Sequence, residues 1–410
     1  MASKLRVAAC HVSPLFLNAR ATTDKAISLI QQAAARKANL VVFPETYIAA
    51  FPIWSSVRPP TENHDLFHRM VKASVYADGE ELAAVCDTAR KTGCLVSIGF
   101  SEKWQHSNAT LYNSNMIINT DGDVLVHHRK LVPTFYEKLT WSPGDGYGLR
   151  VADTKFGRVG ALICGEHTNP LARYALMAQA EQVHISTWPA IWPTRSIVGR
   201  KEGDGNADTS SPLNYDNLAA NRMRAAAHSF EAKCFGVACA AHLGQDAIET
   251  VVEGASQPEF VAQTLRSMPR ASTFFLDPTG APHPSFTYQT FSDEAQPTSH
   301  LRGEEGILYA DMDLDACIEG KQYHDVVGGY QRLDLFNLKV NRYRKHPVTF
   351  APGPPTSPFD SDEYDIRNQP SKNTIRKRRN IPDLFSSGPK HGKSPRSLTP
   401  SSLFPFDPSE

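Results

Sequence analysis

Brief, almost wholly apolar runs punctuate the first 350 residues, at 5–10, 40–43, 95–100, 159–163 and 235–241. Such runs are too short for helices, and read as strands buried in a layered core. Between them lie segments of a different period. Residues 24–37 carry Ala26, Ile27, Ile30, Ala33 and Ala34 at helical spacing, and residues 80–91 read as a helix stopped by Gly93. Asp121-Gly122 sits between strand-like 111–119 and 123–127, a hairpin signal. Asn169 caps a further helix with Pro170 in its first turn. Residues 182–186 return as strand, 217–233 as helix, 273–276 as strand before a turn at 277–280, and 307–312 as a late strand. Strands interleaved with helices, plus a hairpin, predict an α/β layered domain over residues 1–350 with a mixed sheet. Residues 193–212, rich in Gly, Asp and Ser, read as a long loop or insertion.

From about residue 352 Pro and Ser dominate and apolar residues arrive singly. Residues 351–410 cannot bury enough surface to offset ordering and are expected to be a disordered tail. Arg376-Lys377-Arg378-Arg379 within it resembles a nuclear-localisation patch, though a solvated charge run accounts for it as well. Lys plus Arg number 43, as do Asp plus Glu, so net charge gives no argument for nucleic-acid or acidic-membrane partners. No apolar run reaches the roughly 18–20 residues that cross a bilayer. His11 and Ser13-Pro14 interrupt the N-terminal apolar stretch, so no signal-peptide core is expected. The seven cysteines (Cys10, Cys86, Cys94, Cys164, Cys234, Cys239 and Cys317) are odd in number, widely spaced and free of CxxC. That pattern argues against a disulfide framework or a zinc knuckle and for a reducing, cytoplasmic setting.

Three strand-like segments end in a reactive side chain: the run through Phe43-Pro44 ends at Glu45, residues 124–129 end at Lys130, and residues 160–163 end at Cys164. Functional groups of open α/β sheets gather at the carboxyl ends of strands, so three such ends can converge on one pocket. The trio is chemically coherent. A neighbouring ammonium favours the thiolate, a carboxylate can take the thiol proton and return it to a leaving nitrogen, and the ammonium can stabilise charge developing on a substrate. Each fragment alone is as well explained by a strand end or a core cysteine.

The wording of these segments resembles the nitrilase superfamily, specifically its nitrilase branch. Phe43-Pro44-Glu45 is similar to the first catalytic motif, His128-Arg129-Lys130-Leu131-Val132-Pro133-Thr134 to the second, and Cys164-Gly165-Glu166-His167 with Thr168-Asn169-Pro170-Leu171 to the third. Glu137-Lys138-Leu139-Thr140-Trp141 is similar to the segment that carries an additional active-site glutamate. The similarity runs from about residue 4 to about residue 349. It implies an α-β-β-α sandwich pairing with a second copy into a four-layer homodimer, with larger oligomers or spirals built from it. The helix opening at Pro170 would help form the dimer face. It also implies Glu45 as general base, Lys130 as electrophilic support, Cys164 as nucleophile and Glu137 as the group orienting Lys130. Two positions depart from the pattern. Gly165 stands where many nitrilases carry Trp, which is expected to widen the pocket. Gly329, within 328–334, stands where a late family segment has His, which bears on assembly more than on chemistry.

No cofactor and no metal are implied. His127 and His128 are adjacent on a strand and face opposite ways, so they cannot chelate together. Gly144-Asp145-Gly146-Tyr147-Gly148 reads as a turn rather than a dinucleotide site. Cys234 and Cys239 read as packing residues. Tyr47, Phe51, Trp54, Trp188 and Trp192, together with Thr134 and Gly165, are candidates to line a substrate pocket, with core or interface packing as the alternative for the aromatics. The expected activity is hydrolysis of an organic nitrile to its carboxylic acid and ammonia. The alternatives are amide or carbamoyl hydrolysis, or hydration of a nitrile or cyanide, on the same residues; further off lies a catalytically silent scaffold. A chain truncated near Pro355 is expected to fold and keep full turnover. Loss of activity together with a shift to smaller particles in size-exclusion chromatography would assign the tail a part in assembly.

Overall fold

Alternation of strand and helix resolves, in a computed structural model describing residues 4–194, 216–289, 294–344 and 346–348, into two sheets packed face to face. The strands are β1 (Lys4–His11), β2 (Leu40–Val42), β3 (Leu95–Lys103), β4 (Leu111–Ile118), β5 (Val124–Arg129), β6 (Ala152–Thr154), β7 (Gly157–Ile163), β8 (Val183–Trp188), β9 (Phe235–Ala240), β10 (Phe274–Leu276), β11 (Phe286–Tyr288), β12 (Ala295–Pro297) and β13 (Gly306–Asp313). One sheet has the order β12-β11-β13-β1-β2-β3-β4-β5 and the other β10-β9-β8-β7-β6. In each, the short apolar strands form a parallel centre: β1, β2 and β3 in the first, β7, β8 and β9 in the second. Antiparallel strands extend both edges, including the hairpin of β4 and β5 at Asp121-Gly122.

The longer helices are α1 (Ala19–Ala35), α2 (His64–Ala73), α3 (Glu80–Thr92), α4 (Pro170–Met177), α5 (Asn217–Ala232), α6 (Gln245–Val252) and α7 (Pro258–Ser267). Leu5, Val7, Leu40, Val42 and Ile117 of the first sheet meet Val159, Ala161, Val183, Ile185 and Val237 of the second in a dry inter-sheet core. The opposite face of the first sheet packs on α1 and α3, through Ile30, Ala33, Leu82 and Val85. The opposite face of the second packs on α4 and α5, through Leu176, Ala172 and Ala225. The layers therefore run helix, sheet, sheet, helix. Because both faces of every central strand are covered, the period-2 polar alternation is lost, and this is why those runs read as uninterrupted apolar stretches.

Local signals account for the helix ends. Gly93 adopts φ +69° and closes α3, and Asn169 accepts from the backbone N–H groups of Leu171 and Ala172 to open α4. α1 begins five residues before the expected start at 24, because Asn18 caps it by accepting from Ala21. The helices α2, α6 and α7, absent from the expectation, join a third apolar cluster with Trp54, Trp141 and Trp192. Its loop members follow the carboxyl ends of β2, β5, β8 and β9. Most of the loop expected at 193–212 and the whole of the tail at 351–410, with its basic run, lie outside the described residues.

Ile185, fully buried between the sheets, tests the layering. Ile185→Ala should lower unfolding free energy by about 2–5 kcal/mol in urea titration, the range for emptying a packed aliphatic site. A loss of a few tenths would mean that the two sheets do not share a close-packed core.

Candidate active site

Glu45, Lys130 and Cys164 each follow the carboxyl end of a strand, β2, β5 and β7 respectively, and with Glu137 they form one buried cluster. After β2, Phe43 still donates to Ser97 O at 2.8 Å. The backbone then crosses close over β3 and turns, with Thr46 at φ +47°. Gly99 on β3 permits that crossing: a Cβ there would lie 2.5 Å from Pro44 O and from Thr46 N. The Glu45 carboxylate so delivered accepts from Asn113 Nδ2 at 2.7 Å and from Lys130 Nζ at 2.8 Å, both at Oε1. Its Oε2 has no hydrogen-bond partner among the described residues, which leaves one buried carboxylate oxygen open to a proton.

The period of β5 sorts four basic residues onto two faces. His127 and Arg129 bind Glu102 of β3, at 2.8 Å and 3.0 Å, while His128 bonds Glu166 at 3.0 Å. Lys130 follows on the His128 side and donates to Glu45 and to both oxygens of Glu137, at 2.9 and 2.7 Å. Asn113 couples these groups twice, since its carbonyl accepts from Lys130 N at 2.7 Å while its side chain holds Glu45. Glu137 sits in a short 3₁₀ turn, Phe135–Leu139, that opens at Thr134. The Glu137 carboxylate accepts from Thr134 N at 3.1 Å, and the Thr134 backbone carbonyl accepts in return from Glu137 N at 2.9 Å.

Cys164 begins a sharp turn at the end of β7 with φ +49°, a left-handed conformation that a non-glycine residue holds only when its surroundings enforce it. Glu166 is one enforcing group. Its buried carboxylate accepts from Ile163 N and from Leu131 N, each at 2.7 Å, and from His128, which ties the turn at Cys164 to the chain just after Lys130. His167 is the other, with Nδ1 at 2.8 Å from Cys164 O. The thiol sulfur lies within 4.8 Å of carboxylate oxygens of Glu45 and Glu137. That cysteine and two carboxylates could in principle ligate a cation; here the Lys130 ammonium already bonds both carboxylates.

Burial dominates the electrostatics. It pushes the Lys130 ammonium toward neutrality, but Glu137 and Glu45 together hold it well above the usual lysine range. Burial raises the Glu137 carboxyl, opposed only in part by Lys130, to about 7. Burial and the Glu45 charge push the Cys164 thiol well above its ordinary value, with Lys130 opposing. Cys164 therefore rests as a thiol beside a carboxylate acceptor and a charged donor, a set able to add sulfur to an electrophilic carbon while moving one proton.

Of the expected pocket residues, Tyr47 lines a narrow cleft with Glu45, Phe51, Ala190 and Leu243. Trp188 packs in one cluster with Cys164 and Ile163. Trp54 is buried edge-on against Phe16, in the third cluster and not in that cleft; Trp192 stacks on Tyr136 in the same cluster. Gly165 does not simply widen the site. Its missing Cβ would lie 2.5 Å from Thr134 Oγ1, so the Thr134 hydroxyl occupies the space beside it. The sequence reading gave no role to Asn113, Glu166 or His167. Glu166 and His167 lay inside a quoted motif, but Asn113, a polar residue in a buried strand, carried only the signal of being polar there.

The model of the carbon-nitrogen hydrolase family matches residues 6–282, and the chain belongs to that family. It is 30% identical over 358 residues to a nitrilase of Penicillium rubens, covering 86% of this chain and 97% of the relative. It is 33% identical to a nitrilase of Paraburkholderia phymatum, covering 84% and 88%, and 32% identical to an arylacetonitrilase of Hypocrea virens, covering 82% and 92%. These relatives put it in the nitrilase branch of the nitrilase superfamily, among hydrolases of carbon–nitrogen bonds. The fold is shared with a carbon-nitrogen hydrolase of Helicobacter pylori (TM-score 0.57, 17% identity, 82% of this chain and 97% of that one). It is shared too with Saccharomyces cerevisiae Nit3 (TM-score 0.55, 18% identity, 80% and 96%).

Glu137 makes a prediction with a definite sign. Its proton leaves at about 7 in the folded chain against an ordinary 4.5, so between these values the folded state binds more protons. That group's contribution to stability falls as pH rises through the interval. In Glu137→Gln the component is gone. The melting temperature of the variant relative to the parent should climb from about pH 4.5 to about 7 and level off above. A difference constant across the interval would show that Glu137 is not the group holding the late proton.

Proposed function

We propose that the chain is a nitrilase, converting an organic nitrile and water to a carboxylic acid and ammonia through Cys164. The observation carrying this reading is the buried set of one thiol, one ammonium and two carboxylates brought together by three strand ends and a 3₁₀ turn. The nitrilase names of relatives that span most of the chain support it.

Attack begins with the neutral thiol. As Sγ bonds to the nitrile carbon, its proton passes to Glu45 and from there to the nitrile nitrogen, giving a thioimidate with no net change in buried charge. Lys130 donates toward the nitrogen as charge develops on it. Water, deprotonated by Glu45, adds to the thioimidate carbon. Glu45 passes that proton to nitrogen, then takes the proton of the new hydroxyl and delivers it to nitrogen as well, so that ammonia leaves and a thioester remains. A second water, activated in the same way, releases the acid and restores the thiol. Expulsion of ammonia competes with expulsion of the thiolate, which would yield the amide. Positive charge on the leaving nitrogen is favoured by Glu45 and Glu137 and opposed by Lys130, so two carboxylates against one ammonium favour the acid.

Tyr47 and the apolar cleft beside Glu45 fit an apolar substituent on the nitrile. Pairing of two copies through α4 and α5 is supported by Leu171, Met223 and Phe230, large apolar side chains left exposed on those helices. All seven cysteines are free thiols, which fits a reducing cytoplasmic setting. Among the described residues no helix is long and apolar enough to cross a membrane.

A panel of aliphatic, aromatic and arylacetonitriles with their amides tests the reading, with ammonia, acid and amide measured from one preparation. Acid and ammonia in equal amounts, with amide minor, are expected. Folded Cys164→Ala should release none, and Glu45→Gln should fall by orders of magnitude. Amide as the principal product would recast the enzyme as a hydratase. Turnover of the amides alone would recast it as an amidase.

A further inference from the structure

Behind the nucleophile turn, away from Glu45 and Lys130, lies a second buried cluster that the chemistry above does not use. His167 Nδ1 is 2.8 Å from Cys164 O, and His167 Nε2 is 2.9 Å from His184 Nε2. His184 Nδ1 is 2.8 Å from Glu181 Oε1, and His228 Nε2 is 2.7 Å from Glu181 Oε2. Ser186 Oγ stands 2.8 Å from His167 Nε2. Glu181, His167, His184 and His228 are all buried to 2% exposure or less.

Counting protons along this chain gives a definite result. A carbonyl only accepts, so the contact with Cys164 O needs a proton on His167 Nδ1. Two imidazole nitrogens 2.9 Å apart need one proton between them. The carboxylate needs a proton shared with His184 Nδ1. Two neutral imidazoles supply two protons for these three contacts, and the Ser186 hydroxyl, which can donate to His167 Nε2, puts none between the two nitrogens. We infer that His167, His184 and Glu181 together hold one additional proton, and that His184 and Glu181 are positioning residues which, through His167, fix the Cys164 carbonyl and hence the left-handed turn of the nucleophile. With that proton the trio is neutral overall, as an imidazolium with a carboxylate or as its neutral tautomer, which is how so buried a group of titratable residues avoids a net charge. His228 completes the carboxylate with an ordinary N–H. Without the extra proton two lone pairs oppose each other across 2.9 Å, and His167 must give up either Cys164 O or its place beside His184.

The surroundings disfavour a charge resting on His167. Burial and His184 hold the His167 imidazolium well below the usual histidine range. Burial works against the Glu181 carboxylate, but His184 and His228 hold it down at about 2. The other groups facing the cluster are Arg224 and His228 on α5, Arg173 on α4 with its partner Glu231, and the thiol of Cys234. Glu181, His184 and His228 could also be counted as a set of metal ligands. However, the His184 and His228 rings stack at 3.5 Å with 18° between planes, which aims their nitrogens side by side rather than at one centre.

The inference rests on Cys164 as the proposed nucleophile, and two measurements separate it from the choice of substrate. The first is ¹⁵N-histidine NMR of the full-length protein and of Cys164→Ala. It should show, in both, a strongly downfield, exchange-protected imidazole proton coupled to two nitrogens, lost in His184→Gln. The second is the rate of Cys164 alkylation by iodoacetamide, read with turnover of the nitrile. His184→Leu should slow alkylation and lower kcat about tenfold or more, with KM little changed. In His184→Gln a side-chain amide N–H can donate to His167 Nε2, so no extra proton is required. That variant should stay within about threefold of the parent. Absence of the shared-proton signal in the parent, a Leu variant as reactive as the parent, or a stoichiometric metal bound at Glu181 in the purified protein would each overturn the inference. So would a folded Gln variant as slow as the Leu variant. Failure to hydrolyse nitriles would leave the alkylation and NMR results intact and count only against the proposed reaction.

Discussion

Lys130 sits fully buried with its ammonium shared by Glu45 and Glu137, and no single charge in this cluster is tolerable without the others. A lone ammonium at that depth would be driven to neutrality, and two lone carboxylates would take up protons. Held together they satisfy one another, and removing one partner of such a buried pair costs about 3–5 kcal/mol. The requirement reaches outward through the fold. Asn113 must stand on β4 where its carbonyl meets Lys130 and its amide meets Glu45. Gly99 must lack a side chain for the Glu45 segment to cross β3. Thr134 must cap the turn that presents Glu137. The ends of β2 and β5 and one 3₁₀ turn are thus fixed relative to each other by a single cation.

The same charge balance governs Cys164, the proposed nucleophile. Adding a thiolate to one ammonium and two carboxylates would deepen a negative excess in a buried site, which is why the Cys164 thiol is raised although Lys130 is near. A preformed thiolate, of the kind that a cationic neighbour creates elsewhere, is not what this arrangement favours. Glu45 instead has a free oxygen, Oε2, ready for the proton at the moment sulfur finds carbon. Reactivity is then gated by the electrophile rather than stored in the resting enzyme, and the other buried thiols, such as Cys10, Cys234 and Cys239, are raised by burial without any such acceptor arrangement.

Much of this was legible in the chain before any coordinates. The apolar runs at 40–43, 95–100 and 159–163 could only be buried strands, and all became central or parallel strands. Gly93, Asn169 and Asp121-Gly122 marked ends and a turn through local backbone rules that tertiary contacts rarely override. Helices α2, α6 and α7 escaped because their apolar residues answer to the third cluster, whose other members arrive from distant loops. The site showed a similar division. Glu45, Lys130 and Cys164 stood at strand ends, a position with a physical meaning. Asn113 acts through a register between β4 and β5 that no local pattern encodes. Gly165 suggests by its missing side chain an opened space, yet that space is taken by the hydroxyl of Thr134, which arrives from another loop.

The turn at Cys164 brings these threads to one point. A left-handed non-glycine residue has to be held from both sides, because relaxation of φ would swing Sγ away from Glu45. On the side of Lys130, Glu166 clasps the backbone N–H groups of Ile163 and Leu131 together. On the side of α5, His167 holds the carbonyl of Cys164 and is itself held by β8 through His184 and Ser186. The first clasp joins the nucleophile to the end of β5, which belongs to the other sheet; the second joins it to the next strand of its own. Sliding of one sheet on the other would therefore strain the turn at Glu166, and a shift of β8 against β7 would strain it at His167. A catalytic distance of a few ångströms is in this way set by the packing of whole layers, and the two side chains following the nucleophile are where that packing is converted into the position of one sulfur atom.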